Sequence, residues 1–331
     1  MDRWRGVLRV SLNPNLHFRV AASLCLSSSS KTLIVFDNGN VNDCGQLPSA
    51  NVIFFNGDRV EQSGNPVIER LSNMDHIANI LVSKLGISIN AWVVEASTFN
   101  GPFAVFKEFI PSVNSFGEPK SYHADGFPAS SSTILLLSKC LDMVKSKVKV
   151  EPYVVQEYAS SLPPKTIVLG FSKGGVVLNQ LLTELAHLKP ESPHIAQQCS
   201  EGRSSEVHSE NFLPGSKECF LNSISEVHYV DVGLNSTGAY LCDKHIVEKI
   251  AERVAHGGPA IGFALHGTPR QWCDCRRLWI QNEKNVLSQL LQEAARRTSG
   301  KIRVCERFYF ADMSPNLQMH FEIIENLELM F

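Results

Sequence analysis

A serine flanked by glycines, Gly170-Phe-Ser172-Lys-Gly174, is the stretch whose residue types and spacing best suit covalent chemistry. A hydroxyl is a weak nucleophile at neutral pH. It attacks a carbonyl only when an imidazole takes its proton and a carboxylate holds that imidazole in the right tautomer. Ser172 therefore needs one histidine and one acid from elsewhere in the chain. Where such a serine ends a strand and opens a helix, its partners follow in the order serine, Asp or Glu, then His, each after a later strand. His320 meets the last condition, being the one histidine beyond His266. Two acids fit the middle one. Asp274 follows an apolar run through His266-Gly-Thr-Pro269 and is preferred, while Asp231, in Val230-Asp-Val-Gly233, is the alternative.

The negative charge that develops on a carbonyl oxygen needs two donors. The backbone N–H of Lys173, at a helix start, is the first. The second should come from the loop after the run Val52 to Phe55, hence from Gly57 or Asp58. Asn56-Gly57 stands where many hydrolases of this kind carry His-Gly, which is a departure from their pattern. This chemistry requires no metal and no organic cofactor. Cys273-Asp-Cys275 has no second pair at zinc-ligand spacing and reads as loop thiols.

The elements that must position these groups alternate between strand and helix. Thr166 to Leu169 is β-branched and apolar, and Val176, Val177, Leu181 and Leu182 recur at helical spacing. Strand before and helix after is the context that separates a nucleophile on a sharp turn from a serine that merely caps a helix. Upstream, Trp4 to Leu12 and Phe18 to Leu26 flank Asn13-Pro14-Asn15 and read as a hairpin. The same first 31 residues hold four arginines, many serines and one acid, the composition of a transit peptide. Strands are expected at 32–36, 52–55 and 91–96, with one helix from Pro66 to Leu85 and another from Thr133 to Val148. The irregular aromatic stretch 97–132 reads as a cap or pocket wall, and the polar stretch 189–222 as an exposed flexible insertion. Strands at 227–232, 260–265 and 302–310 then alternate with helices at 243–255 and 285–297 and a last one from about Met319. Alternation of this kind predicts one α/β domain over 1–331, a mainly parallel sheet covered on both faces, with the antiparallel hairpin at its start.

Composition excludes several classes. With 331 residues, 44% apolar content and a net charge of −2, the chain can bury a large core and lacks the basic excess that nucleic acids require. No run of eighteen apolar residues suggests a membrane span. Nine scattered cysteines, an odd number, suit free thiols in a reducing, intracellular compartment.

The serine turn, the Asn-Gly after an early strand and the serine-acid-histidine order resemble the α/β-hydrolase superfamily over nearly the whole chain. More closely, Phe54-Phe-Asn-Gly-Asp58, Leu169-Gly-Phe-Ser-Lys-Gly174 with Val177 to Leu182, Tyr229-Val-Asp-Val-Gly233 and Thr268-Pro269 through Asp274 to Trp279 resemble the eukaryotic family of a mitochondrial protein, chromosome 2 open reading frame 69. That resemblance implies a hydrolase-like fold and residence in mitochondria, with the cytosol as the alternative; the family brings no substrate with it. The residues point to a serine hydrolase of esterase, lipase or thioesterase type, with a small acyl substrate, lipids included. The rival is a catalytically silent hydrolase fold that serves as a binding scaffold.

Overall fold

The structure is a computed structural model that describes residues 3–25, 48–148, 164–188 and 213–329. Ten strands and nine helices are named below in chain order.

The amino-terminal segment is the hairpin: β1 (Arg3–Asn13) and β2 (Leu16–Cys25) pair antiparallel around the Asn13 turn. Alternation explains its orientation, since Leu8, Val10, Phe18 and Val20 are buried on one face while Arg5, Val7, Arg9, His17 and Arg19 stand on the other. Next come β3 (Ala50–Asn56), α1 (Pro66–Leu71), α2 (Met74–Leu85) and β4 (Ile89–Glu95). The single helix expected over 66–85 is two helices. Asn73 interrupts it by accepting the N–H groups of Asp75 and His76, which turns an interior polar residue into the cap of α2. The strand expected at 32–36 lies outside the described residues.

In the 97–132 stretch, a ribbon of β5 (Thr98–Asn100) and β6 (Phe103–Val105) is followed by a loop into α3 (Pro128–Val148), which starts earlier than its apolar periodicity implied. Phe106 and Phe109 pack edge to face with each other and with Phe55, so the stretch is pinned to the core by its aromatics. β7 (Lys165–Phe171) leads through a tight turn, Ser172–Gly174, into α4 (Gly175–Ala186). Most of the polar stretch 189–222 lies outside the described residues. Its end departs from the exposed insertion expected: α5 (Lys217–Ser223) buries Phe220 and Leu221. The chain closes with β8 (Ile224–Val230), α6 (Lys244–Ala255), β9 (Ile261–Gly267), α7 (Pro269–Trp272), α8 (Leu278–Arg297), β10 (Ile302–Phe308) and α9 (Leu317–Asn326).

Eight strands form one sheet in the order β1-β2-β4-β3-β7-β8-β9-β10, parallel from β4 to β10. Both faces are apolar and covered. The face packed by α1, α2 and α9 carries Phe54, Leu169 and Phe171; the other, packed by α3, α4, α6 and α8, carries Phe55, Val168 and Tyr229. The strand order reverses at β3, whose neighbours are β4 on one side and β7 on the other. The carboxyl ends of β3 and β7 therefore lie side by side at the position where open parallel sheets bind ligands. This strand order, with its antiparallel start and tight β7–α4 turn, is the α/β-hydrolase fold.

Candidate active site

Ser172 stands at that reversal point. Its backbone is in the left-handed region, φ 51°, a strained conformation for a residue with a side chain, and one that lifts the hydroxyl off the end of β7. The glycines around it are required by contact rather than by torsion. A Cβ on Gly174 would collide with the carbonyl of Phe55, and one on Gly57 with the carbonyl of Phe171 and the amide of Lys173. The β3 loop is thus pressed against the β7 turn. This brings the backbone of Gly57 to the amide of Lys173, two of the groups that the sequence marks as oxyanion donors.

His320 enters from the first turn of α9, which is capped by Asn316. Its ring is buried and stacked on Phe171, the residue before Ser172, with 4.6 Å between centroids. Nδ1 lies 2.6 Å from Asp231 Oδ2 and Nε2 lies 2.9 Å from Asp58 Oδ2. Burial pushes an imidazole toward its neutral form, yet the two carboxylates outweigh it and raise the pKa of His320 to about 9. At neutral pH the ring is an imidazolium that donates one hydrogen bond to each acid.

Asp231 follows β8, in a left-handed conformation of its own (φ 43°), and its carboxylate accepts the N–H and the hydroxyl of Thr268 at 2.7 and 2.9 Å. Those bonds leave it one firm orientation, toward His320. Asp274, the acid preferred from sequence, is placed otherwise. It lies on the loop after α7, partly exposed, where it binds Arg277 Nε at 2.9 Å and the N–H of Arg276. Its slight burial would raise its pKa, but these donors hold it below the ordinary carboxylate range. The correction is local in origin. Arg277, three residues on, and the amide of Arg276 capture the acid before it can serve a distant ring.

Two features were not read from sequence. Asp58 was singled out for its backbone, whereas its side chain is the second partner of His320; an acid beside the expected donor was the available signal. The side chain of Lys173 is buried as well, with Nζ 3.0 Å from the carbonyl of Phe116, 3.7 Å from Glu118 Oε1 and 5.0 Å from the centre of the Phe103 ring. Burial pulls its pKa down, against Glu118 and Asp58. The 97–132 stretch thus reaches over the serine turn. Asp58 Oδ1 and Asn56 Nδ2 are buried at its edge with no hydrogen-bond partner among the described residues.

Against known proteins, a family model described as C2orf69 matches residues 136–296. Over those residues the chain is similar to that family. It is 24% identical to the zebrafish (Danio rerio) mitochondrial protein C2orf69 homolog, covering 97% of this chain and 85% of that one. It is 22% identical to human mitochondrial protein C2orf69 over 84% and 74% of the two chains. Among solved structures it is similar to an S-formylglutathione hydrolase from Agrobacterium tumefaciens (11% identity, 98% and 92% coverage, TM-score 0.41) and to the BES protein of Bacillus cereus (13%, 98% and 91%, 0.43). Those likenesses concern the fold. Among the described residues, no helix is long and apolar enough to cross a membrane.

Proposed function

We propose that the protein is a serine hydrolase that cleaves an ester or thioester of a small acyl substrate, lipids included, and that it resides in mitochondria, as the names of its relatives indicate. The observation that carries this reading is the convergence, at one reversal point of the sheet, of a serine in a left-handed turn and an imidazole buttressed by Asp231. Ser172 Oγ attacks the carbonyl and passes its proton to His320 Nε2. The N–H groups of Lys173 and of Gly57 or Asp58 receive the oxyanion. His320 then returns the proton to the departing alcohol or thiol, and a water, activated by the same ring, frees the acid and restores Ser172. Asp231, rather than Asp274, orients the ring.

Before the first of these steps Nε2 must exchange Asp58 for Ser172. Loss of the imidazolium proton leaves a lone pair on Nε2 facing the Asp58 carboxylate, two acceptors that repel each other, while a hydroxyl can donate to it. Deprotonation thus favours the serine contact. The same occupied nitrogen favours the rival reading, a silent fold in which Asp58 and Asp231 lock the histidine as a structural cation. Labelling with a fluorophosphonate probe decides between them. The hydrolase reading expects labelling that grows from pH 7 to pH 9.5 and vanishes in Ser172→Ala; a folded protein unlabelled at every pH in that range leaves the scaffold.

A further inference from the structure

Beside the active site, on the same edge of the sheet, lies a groove of about 560 Å³. Its walls carry Arg9, His17 and Arg19 from the hairpin, Arg59 from the loop after β3, Glu95 at the end of β4, and Phe99 of the β5 strand. Glu95 is buried and organises the rest: Arg19 Nη1 lies 3.2 Å and Arg59 Nη1 3.5 Å from its Oε2. Arg59 also lies over the ring of Phe99, 4.0 Å from the centroid. A guanidinium carries five donors, so arginines held by one carboxylate keep most of theirs for a second anion. Arg59 Nε also lies 3.6 Å from Glu61 Oε1, so three arginines against Glu95 and Glu61 leave one positive charge in excess, which suits an anion such as a phosphate ester.

The sheet supplies a ruler between groove and serine. Arg19 is paired with Glu95, Glu95 with Asn56, and Asn56 with Phe171, which precedes Ser172. Three strand spacings separate the ends of this row, roughly 14 Å at about 4.8 Å each. The β5–β6 ribbon spans the same interval, with Phe99 under Arg59 in the groove and Phe103 beside Lys173 at the turn. Arg59 also follows directly on Asp58, the residue that holds His320.

We propose that this groove binds the phosphate of the acyl substrate, so that the substrate class is an ester or thioester carrying a phosphate roughly three strand spacings from its scissile carbonyl. The inference rests on the hydrolase reading of Ser172, while its test does not. Binding of pyrophosphate, measured by calorimetry on the full chain, reads the groove alone. The expected result is binding to wild type, equal binding to Ser172→Ala, and a loss of about tenfold in each of Arg59→Ala and Arg9→Glu. Arg9 is exposed, so its replacement leaves the core intact should Arg59→Ala misfold. Co-sedimentation with vesicles of phosphatidylglycerol, against vesicles of phosphatidylcholine, separates the sources of phosphate. Selective binding to the former that Arg9→Glu abolishes assigns a lipid headgroup, and pyrophosphate binding without it assigns a soluble phosphate ester. Absence of both, or pyrophosphate binding that is undiminished in Arg9→Glu and Arg59→Ala, overturns the groove. Phosphate binding in a protein that no fluorophosphonate labels leaves the groove standing and removes the hydrolase.

Discussion

Two buried histidines, His320 on α9 and His266 on β9, respond to burial in opposite ways. His320 sits between Asp231 and Asp58 and is driven to about 9. His266, on β9, sits between the ring of His228, 3.0 Å away, and the hydroxyl of Tyr309, 2.9 Å away, with Arg307 nearby, and it is driven well below its ordinary value. His228 in turn binds Glu226 at 3.0 Å, so that acid serves His228 and makes no hydrogen bond to His266. Burial disfavours the cation in both places. The neighbours decide the sign: two carboxylates reverse it, and a second imidazole with a guanidinium reinforces it. Within one core, then, one histidine is a buried cation between two acids, and another is a neutral link in a hydrogen-bonded row.

The largest effect is expected where that difference touches catalysis. Asp231→Asn keeps the shape of the acid but reverses its hydrogen bond with Nδ1, and should lower labelling by about 10³–10⁴-fold at pH 9. Asp58→Asn removes one of the two charges that raise His320. The midpoint of the labelling profile should then move from near pH 9 toward neutrality, with a gain at pH 7 of about tenfold or more; an unmoved midpoint would show that Asp58 does not govern the ring.

Stability should record both histidines with opposite slopes. His320 holds its proton more tightly folded than unfolded, so its contribution is complete below the unfolded value of 6.5 and is lost as pH rises through about 9. The lost contribution is about 3 kcal/mol from the linkage of 1.36 kcal/mol per pH unit. His266 holds its proton less tightly folded, so it removes stability as pH falls below 6.5. Between them they place a maximum near pH 6.5, measurable by urea unfolding. His320→Gln should flatten the alkaline limb and His266→Gln the acid one. The smallest effect belongs to Asp274→Asn, a partly exposed pair with Arg277, which should change labelling by less than about threefold and stability by no more than about 0.5 kcal/mol.

Most of the framework was legible from local pattern. The β7 strand, the serine turn and α4 follow from a β-branched run, two glycines and helical spacing within twenty residues, because each is decided by neighbours in the chain. The hairpin at the start could be read from alternation, and the structure has it as strands of the main sheet. The break at Asn73 escaped notice because apolar spacing continues across it, while the cap depends on one side-chain torsion. The distinction between Asp231 and Asp274 was out of reach for a related reason. Both follow late strands, and what separates them is a threonine across a strand gap for one and an arginine three residues on for the other.

The chain alone determined that a serine would stand on a strained turn, that a histidine would follow the last strand, and that the charge would balance. Those are properties of short segments, in which spacing and steric size suffice. Tertiary structure decided which acid meets the ring, that a second acid occupies its other nitrogen, and that three of the five arginines scattered over the first 59 residues line one groove with Glu95. Such arrangements bring together groups up to 262 positions apart, and only the register of the sheet sets the distances at which their charges act.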